Sequence, residues 1–131
     1  MGLNQFNYRQ NQNFILKGEV DMEYKTKFVT YHQNNSGGYF CQNEDVDMYV
    51  IIEGYDLWQI QSKAREIFES YREYCECCGE RWDDNCKYED DMTDEPMIYN
   101  KSVYSYTSWF CGNAIIYYLD GTKEVVAIKE V

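Results

Sequence analysis

The chain has no run of apolar residues approaching the roughly 18 needed to cross a bilayer, and its N-terminus, MGLNQFNYRQ, lacks both a basic cluster and a small-residue cleavage site. These absences point to a protein that is neither membrane-spanning nor exported. There is one histidine, His32, so any Cys–His dyad would have to use it, and nothing adjacent in sequence orients it as a base. No glycine loop is followed by the lysine and helix that cradle phosphates, since NNSGG has neither. A catalytic role is therefore not expected. Basic residues are scarce, 12 against 23 acidic, and the formal charge of −11 opposes direct contact with nucleic acid phosphates. Proline is nearly absent, with only Pro96, while 18% of residues are aromatic and 14 are tyrosine. Disordered chains are poor in aromatics and cannot offset their chain entropy, so this composition describes an ordered globule of about one domain.

What is present is unevenly distributed. Between Asp83 and Glu95 lie seven carboxylates (Asp83, Asp84, Glu89, Asp90, Asp91, Asp94 and Glu95) and a single lysine, Lys87. Immediately before them, YCECCGERW places Cys75, Cys77 and Cys78 within four residues, and Cys86 follows eight positions later. In an unexported protein these cysteines are expected to be reduced thiols or metal ligands rather than disulfides. Cys75-x-x-Cys78 has the spacing of a zinc knuckle, with Gly79 available for the turn. The best tetrahedral set is Cys75, Cys78 and Cys86 with Cys111 or His32 brought in by the fold. The alternative is that the thiols act as small buried hydrophobes and no cofactor is bound. Thiol redox catalysis is disfavoured, because the motif would follow a helix C-terminus, where the dipole raises a thiol pKa instead of lowering it.

Residues 1–13, rich in Asn and Gln, read as a flexible arm, and residues 14–131 as one domain. FILKGEVDMEY and KFVTYHQ read as strands, NNSGG as a turn, and MYVIIEG as a buried strand. Asp56 can cap a helix with Gln59 at its third position. Leu57, Ile60, Ala64, Ile67 and Tyr71 then recur at spacings of three and four, widened by Phe68, which predicts one amphipathic helix over 57–74. Arg65 and Glu69 can pair one turn apart on its polar side. SVYSYTSW reads as a strand, and Asp120-Gly121 between AIIYYL and KEVVAIKEV is the signature of a two-residue type I′ hairpin. The expected fold is α+β: one long helix packed on an antiparallel sheet of four or five strands, with a cysteine-rich acidic loop.

The acidic run lacks the ligand spacing and central glycine of a calcium loop. It is either a solvated face or a contact surface that presents spaced negative charge to a basic groove. Tyrosines favour contact, because they supply area at little entropic cost. Tyr88 lies within the run, and Tyr104 and Tyr106 are expected to alternate on one strand face. The expected contact set is thus Asp83, Asp84, Glu89, Asp90, Asp91, Asp94, Glu95, Tyr88, Tyr104 and Tyr106.

GGYF, YVIIEGYDLWQIQSKAREI, the box CECCGERW, EPMIY and YYLDGTKE resemble, in that order, a family of small uncharacterised proteins encoded by bacteriophages. The resemblance spans residues 37–125. It implies a setting in the cytoplasm of an infected bacterial host. Small acidic phage proteins without catalytic motifs are often inhibitors of host machinery, so the implied function is stoichiometric inhibition of a bacterial defence protein with a basic surface, most concretely as an anti-CRISPR that mimics nucleic acid. Two alternatives are a protein that sequesters a nucleotide immune signal and a phage structural or regulatory protein without a defence role.

Overall fold

The computed structural model describes residues 25–34, 39–75 and 79–131. The expected N-terminal arm, the strand expected over 14–24 and most of the NNSGG turn lie outside the described residues. The elements are β1 (Lys27–His32), β2 (Tyr49–Gly54), α1 (Leu57–Phe68), β3 (Tyr74–Cys75), β4 (Gly79–Glu80), β5 (Met97–Ile98), β6 (Lys101–Ser102), β7 (Thr107–Ser108), β8 (Gly112–Tyr117) and β9 (Lys123–Glu130). Five strands form one sheet in the order β1-β2-β8-β9-β7, while β3–β4 and β5–β6 form two small hairpins. The class is α+β and mostly sheet.

The sheet is mixed rather than antiparallel. β1–β2 and β8–β9 pair antiparallel, but β2–β8 and β7–β9 pair parallel. The reason lies in connectivity: β2 and β8 are adjacent in space but separated by the helix and both small hairpins, and a crossover of that length can bring the chain back in the same direction.

β2 reads as a continuous apolar run because both faces of the sheet are covered. On one face Val29, Tyr31, Val50 and Ile52 pack against Ile60, Ala64 and Phe68 of α1 and against Trp82, whose ring stacks on Phe68 at 4.2 Å. On the other, Tyr49, Ile51, Ala114, Ile116, Val126 and Ile128 pack against Ile98 and Val103 of the β5–β6 hairpin. The turn into α1 is tight: a Cβ on Gly54 would lie 2.6 Å from Cγ1 of Ile60, so glycine lets the helix fold back on the strand it follows. Asp56 caps the helix, its Oδ1 accepting from the Gln59 amide at 2.8 Å, while Gln59 Oε1 accepts from the Tyr55 amide at 2.7 Å. This is the reciprocal arrangement that the Asp56/Gln59 spacing suggests, displaced by one residue.

The helix is shorter than its apolar periodicity. It ends at Phe68, continues as one 3₁₀ turn over Glu69–Tyr71, and Arg72 is extended. The cysteine box therefore begins in the β3–β4 hairpin instead of on a helix end, and the dipole argument against a lowered thiol pKa does not apply to it. On the polar face Lys63 pairs with Glu66 at 3.9 Å in place of the expected Arg65–Glu69 pair.

The turn between β8 and β9 also differs. Gly121 N donates to Tyr118 O at 3.0 Å and Tyr118 N to Thr122 O at 2.9 Å; Gly121 has φ +95°, whereas Asp120 does not have positive φ. This is a three-residue loop with a type I turn closed by glycine. Asp120 prefers to accept from the Thr122 amide at 2.9 Å, which holds it out of the left-handed region that type I′ requires.

Ile60→Ala should lower unfolding free energy by about 2 to 5 kcal/mol, because a fully buried side chain leaves a cavity. Ile67→Ala, at a half-buried position, should cost clearly less. Urea titration of both variants checks the helix orientation; equal losses would mean that the buried stripe is assigned wrongly.

Candidate functional site

Residues 81–97 run along the outer edge of β1 as a strap, and this position determines what each acidic side chain can do. The strap bonds to β1 through its backbone: Phe28 and Thr93 exchange reciprocal amide–carbonyl bonds at 2.8 Å, and Asn34 N donates to Arg81 O at 2.6 Å. Between them His32 N donates to Asp83 Oδ1 at 2.9 Å, and Thr30 Oγ1 donates to Met97 O at 2.5 Å. An edge strand that would expose unpaired donors is thereby closed.

Asp84 does not belong to a contact surface. It is 1% exposed and bound bidentate by Arg72, at 3.1 and 2.7 Å. Its carbonyl accepts from Gln61 Nε2 at 2.6 Å, and Gln61 Oε1 in turn accepts the Tyr31 hydroxyl. A buried carboxylate needs such a partner, and the consequence is that the strap is tied to α1 and β1 at once.

Asp83 is half-buried and equally committed. Its Oδ2 lies 3.1 Å from His32 Nδ1 and 3.0 Å from Lys87 Nζ. Burial alone would push this carboxyl up, but the hydrogen bond with His32, followed by the charge of Lys87, holds it below the ordinary value of 3.8. Asp94 is held low by its hydrogen bond with Lys27 at 2.9 Å, with Lys25 nearby at 3.6 Å.

The remaining acids differ. Glu89, Asp90 and Asp91 form a 3₁₀ turn of exposed residues, preceded by Tyr88, which is 71% exposed. The turn is fixed locally: Asp91 Oδ2 accepts from the Tyr88 amide at 2.7 Å, and Asp91 N donates to Tyr88 O at 2.9 Å. Among the described residues no basic side chain pairs with Glu89, Asp90 or Glu95. Of the seven acids in the run, these three and Asp91 are displayed to solvent without a compensating cation.

The tyrosines separate as well. Tyr104 and Tyr106 do not alternate on a strand; they sit in the turn after β6, where Ser105 N and Tyr106 N both donate to Ser102 O at 3.0 Å. Tyr104 is exposed and its hydroxyl donates to Glu124 at 2.9 Å. Tyr106 packs against the core, its ring 5.7 Å from that of Tyr49 and its hydroxyl 3.2 Å from the Tyr49 hydroxyl. Burial, and then that hydrogen bond, raise the Tyr49 pKa.

One further displayed tyrosine lies outside the expected contact set. Tyr99 and Asn100 have φ +50° and +69° and connect the paired residues Ile98 and Lys101, which makes them the type I′ turn of the β5–β6 hairpin. Asn100 suits that conformation, whereas a bulky residue there costs about 1 kcal/mol or more. The Tyr99 side chain is 65% exposed and lies against the His32 ring at 4.9 Å and the Tyr106 ring at 6.0 Å. The signal in the sequence is Tyr-Asn between the short stretches Met97-Ile98 and Lys101-Ser102, which is weaker than Asn-Gly.

The cysteine set is only partly visible. Cys78 and the Cys75 side chain lie outside the described residues. Cys86 is an exposed residue whose amide closes a turn on Asp83 O at 3.1 Å, and Cys111 precedes β8, its thiol donating to Glu130 at 3.0 Å. That hydrogen bond to Glu130 is the main reason the Cys111 pKa is raised. No group of three metal-ligating side chains occurs among the described residues. The neighbouring Arg81 is buried and fully used: it binds Glu73, Gln33 Oε1 at 2.8 Å and the Tyr39 carbonyl at 3.3 Å. A cleft of about 210 Å³ is lined by Arg72, Glu73, Glu80, Arg81 and Trp82, but both arginines in it already hold carboxylates.

No helix among the described residues is long and apolar enough to cross a membrane. A family model, Domain of unknown function (DUF7296), matches residues 26–130, and the chain belongs to that family. No curated protein and no solved structure matches the chain.

Two measurements check this division of the acids. Asp84→Ala should cost about 1.5 to 3 kcal/mol of stability, since it removes hydrogen bonds between charged groups. Asp90→Ala should stay within about 0.5 kcal/mol, as expected of an exposed side chain. For Asp83, a folded-state pKa below the ordinary value means stability that is present above that value and lost as pH falls through the lower, folded one. Stability of the wild type should thus decline through the region below pH 3.8, and Asp83→Asn should flatten that decline. An identical acid limb in the variant would remove Asp83 from the account.

Proposed function

We propose that this DUF7296 protein acts by stoichiometric binding of a partner with a basic surface, by occupancy and not by catalysis. The observation that supports this reading is the exposed Glu89-Asp90-Asp91 turn, uncompensated by cations and held in one conformation by its own hydrogen bonds. An acidic segment that merely keeps a protein soluble does not need a fixed shape, whereas one that meets a groove gains from having its charges ordered before contact. Tyr88 beside the turn, with Tyr99 and Tyr104 displayed on and after the β5–β6 hairpin, would supply aromatic contact.

The setting we propose is a bacteriophage protein in the cytoplasm of an infected cell, binding a defence protein whose groove ordinarily takes nucleic acid, as an anti-CRISPR would. The contact set becomes Glu89, Asp90, Asp91, Glu95, Tyr88, Tyr99 and Tyr104. Asp83, Asp84 and Asp94 support the strap, and Tyr106 supports the turn that carries Tyr104. Sequestration of a nucleotide signal has less support, because Arg72 and Arg81 are occupied by Asp84 and Glu73 and a phosphate would have to displace them. Any metal would be structural and held by the cysteine hairpin, with Cys75 and Cys78 as its first ligands.

The test is affinity capture of partners from bacterial lysate, followed by kinetics against the purified partner at low and high salt. The triple variant Glu89→Gln, Asp90→Asn, Glu95→Gln should slow association and flatten its salt dependence, with little change in dissociation. Tyr88→Ala should speed dissociation instead. Association that is unchanged in the triple variant would sink the charge-driven reading.

A further inference from the structure

The two edges of the main sheet are treated differently, and the difference goes beyond the proposed partner surface. β1 is closed along its length by the strap. At the other edge β7 pairs only with Lys129 and Glu130, so β9 continues unpaired from Lys123 to Ile128. Val131 N donates to Ser108 O at 3.1 Å, which directs the odd-numbered residues of β9 toward the outer edge, because backbone groups alternate sides along a strand. Lys123, Val125 and Ala127 therefore carry outward N–H and C=O groups that no described residue engages, while Glu124, Val126 and Ile128 bond β8.

Natural edges are usually guarded by an exposed lysine, a proline or a bulge. β9 has none of these at its centre. Val125 is 59% exposed and Ala127 is exposed. The nearest lysine, Lys123, is drawn away: its Nζ donates to Glu44 O at 2.8 Å, lies 3.7 Å from Asp45 and sits 5.2 Å above the Tyr117 ring.

We infer that β9 is a self-pairing edge, on which a second copy of this chain adds its own β9 antiparallel across a two-fold axis at Val125. Only a register that places residues of like parity opposite each other keeps both copies' faces aligned. Pairing Val125 with Val125 of the second copy also sets Lys123 against Ala127, engages all three outward residues of each copy, and stops before β7. Moving the axis to Val126 would set Lys123 against Lys129 at a position β7 already occupies, and moving it to Glu124 would oppose two carboxylates. The overall charge of −11 does not forbid the contact. Its densest part, the strap, lies beyond β1, and β1 is itself three strand spacings or about 14 Å from β9, farther than the screening length of about 8 Å. The product is a continuous sheet with β7 and the strap at its outer margins.

The experiment is light scattering on the full chain at micromolar concentration, with Val125→Lys and Val125→Thr. Wild type and Val125→Thr should give twice the 15.7 kDa chain mass. Val125→Lys, which opposes two cations at the axis, should be monomeric with an unchanged circular dichroism spectrum. A second measurement fixes the register: Val125→Cys should form a disulfide dimer under mild oxidation well above the wild-type background, since directly paired Cα atoms lie at about 5.5 Å. Ala127→Cys, which faces Lys123, should not. A monomeric wild type, or a dimer that persists in Val125→Lys, overturns the proposal. Equal crosslinking at 125 and 127 overturns the register.

Discussion

The bidentate pair between Arg72 and Asp84 is the contact on which the rest of the acidic segment depends. Asp84 is buried away from the surface, and Arg72 reaches it only because α1 ends at Phe68 and the chain turns extended. Had the helix continued to residue 74, as its apolar spacing suggests, the guanidinium would have stayed on the helix surface. The same carboxylate residue receives Gln61, which also receives Tyr31, so helix, edge strand and strap share one polar junction. Once that junction is made, the backbone from Arg81 to Met97 has a fixed line along β1, and the exposed acids on it acquire fixed positions.

Much of the architecture could be read from local patterns. The capped helix, the buried strand at MYVIIEG and the final pair of strands each carry a periodicity that burial explains. The sheet's parallel pairings could not be read, because they depend on which elements meet after a long crossover and no local spacing encodes that. Turn chemistry was ambiguous for a related reason. Asp120-Gly121 fits both a two-residue and a three-residue loop, and the Asp120 side chain decides between them by bonding Thr122.

The candidate surface was legible as a charge run but not in its parts. Charge density alone could not distinguish Asp84, which is buried, from Asp90, which is not. The distinguishing partners, Arg72 and His32, lie 12 and 51 residues away from the acids they bind. Tyr99 could not be separated from the other tyrosines near the run, because its display follows from backbone conformation and tyrosine is an uncommon choice for a left-handed turn.

The crossover between β2 and β8 also sets an order of events for the growing chain. The strand that completes the middle of the sheet, Gly112–Tyr117, is synthesised only after the helix and both small hairpins, and until it arrives β2 has a neighbour on one side only. Both cores draw on β8 or its immediate vicinity, Ala114 and Ile116 on one face and Tyr117 on the other. A nascent chain can form the helix and the β1–β2 pair early, but it holds an unfinished apolar surface until β8 emerges, since contacts between distant segments form after local ones. The negative charge gathered on the intervening segment is then in place before that surface is covered, where it keeps incomplete chains apart from one another.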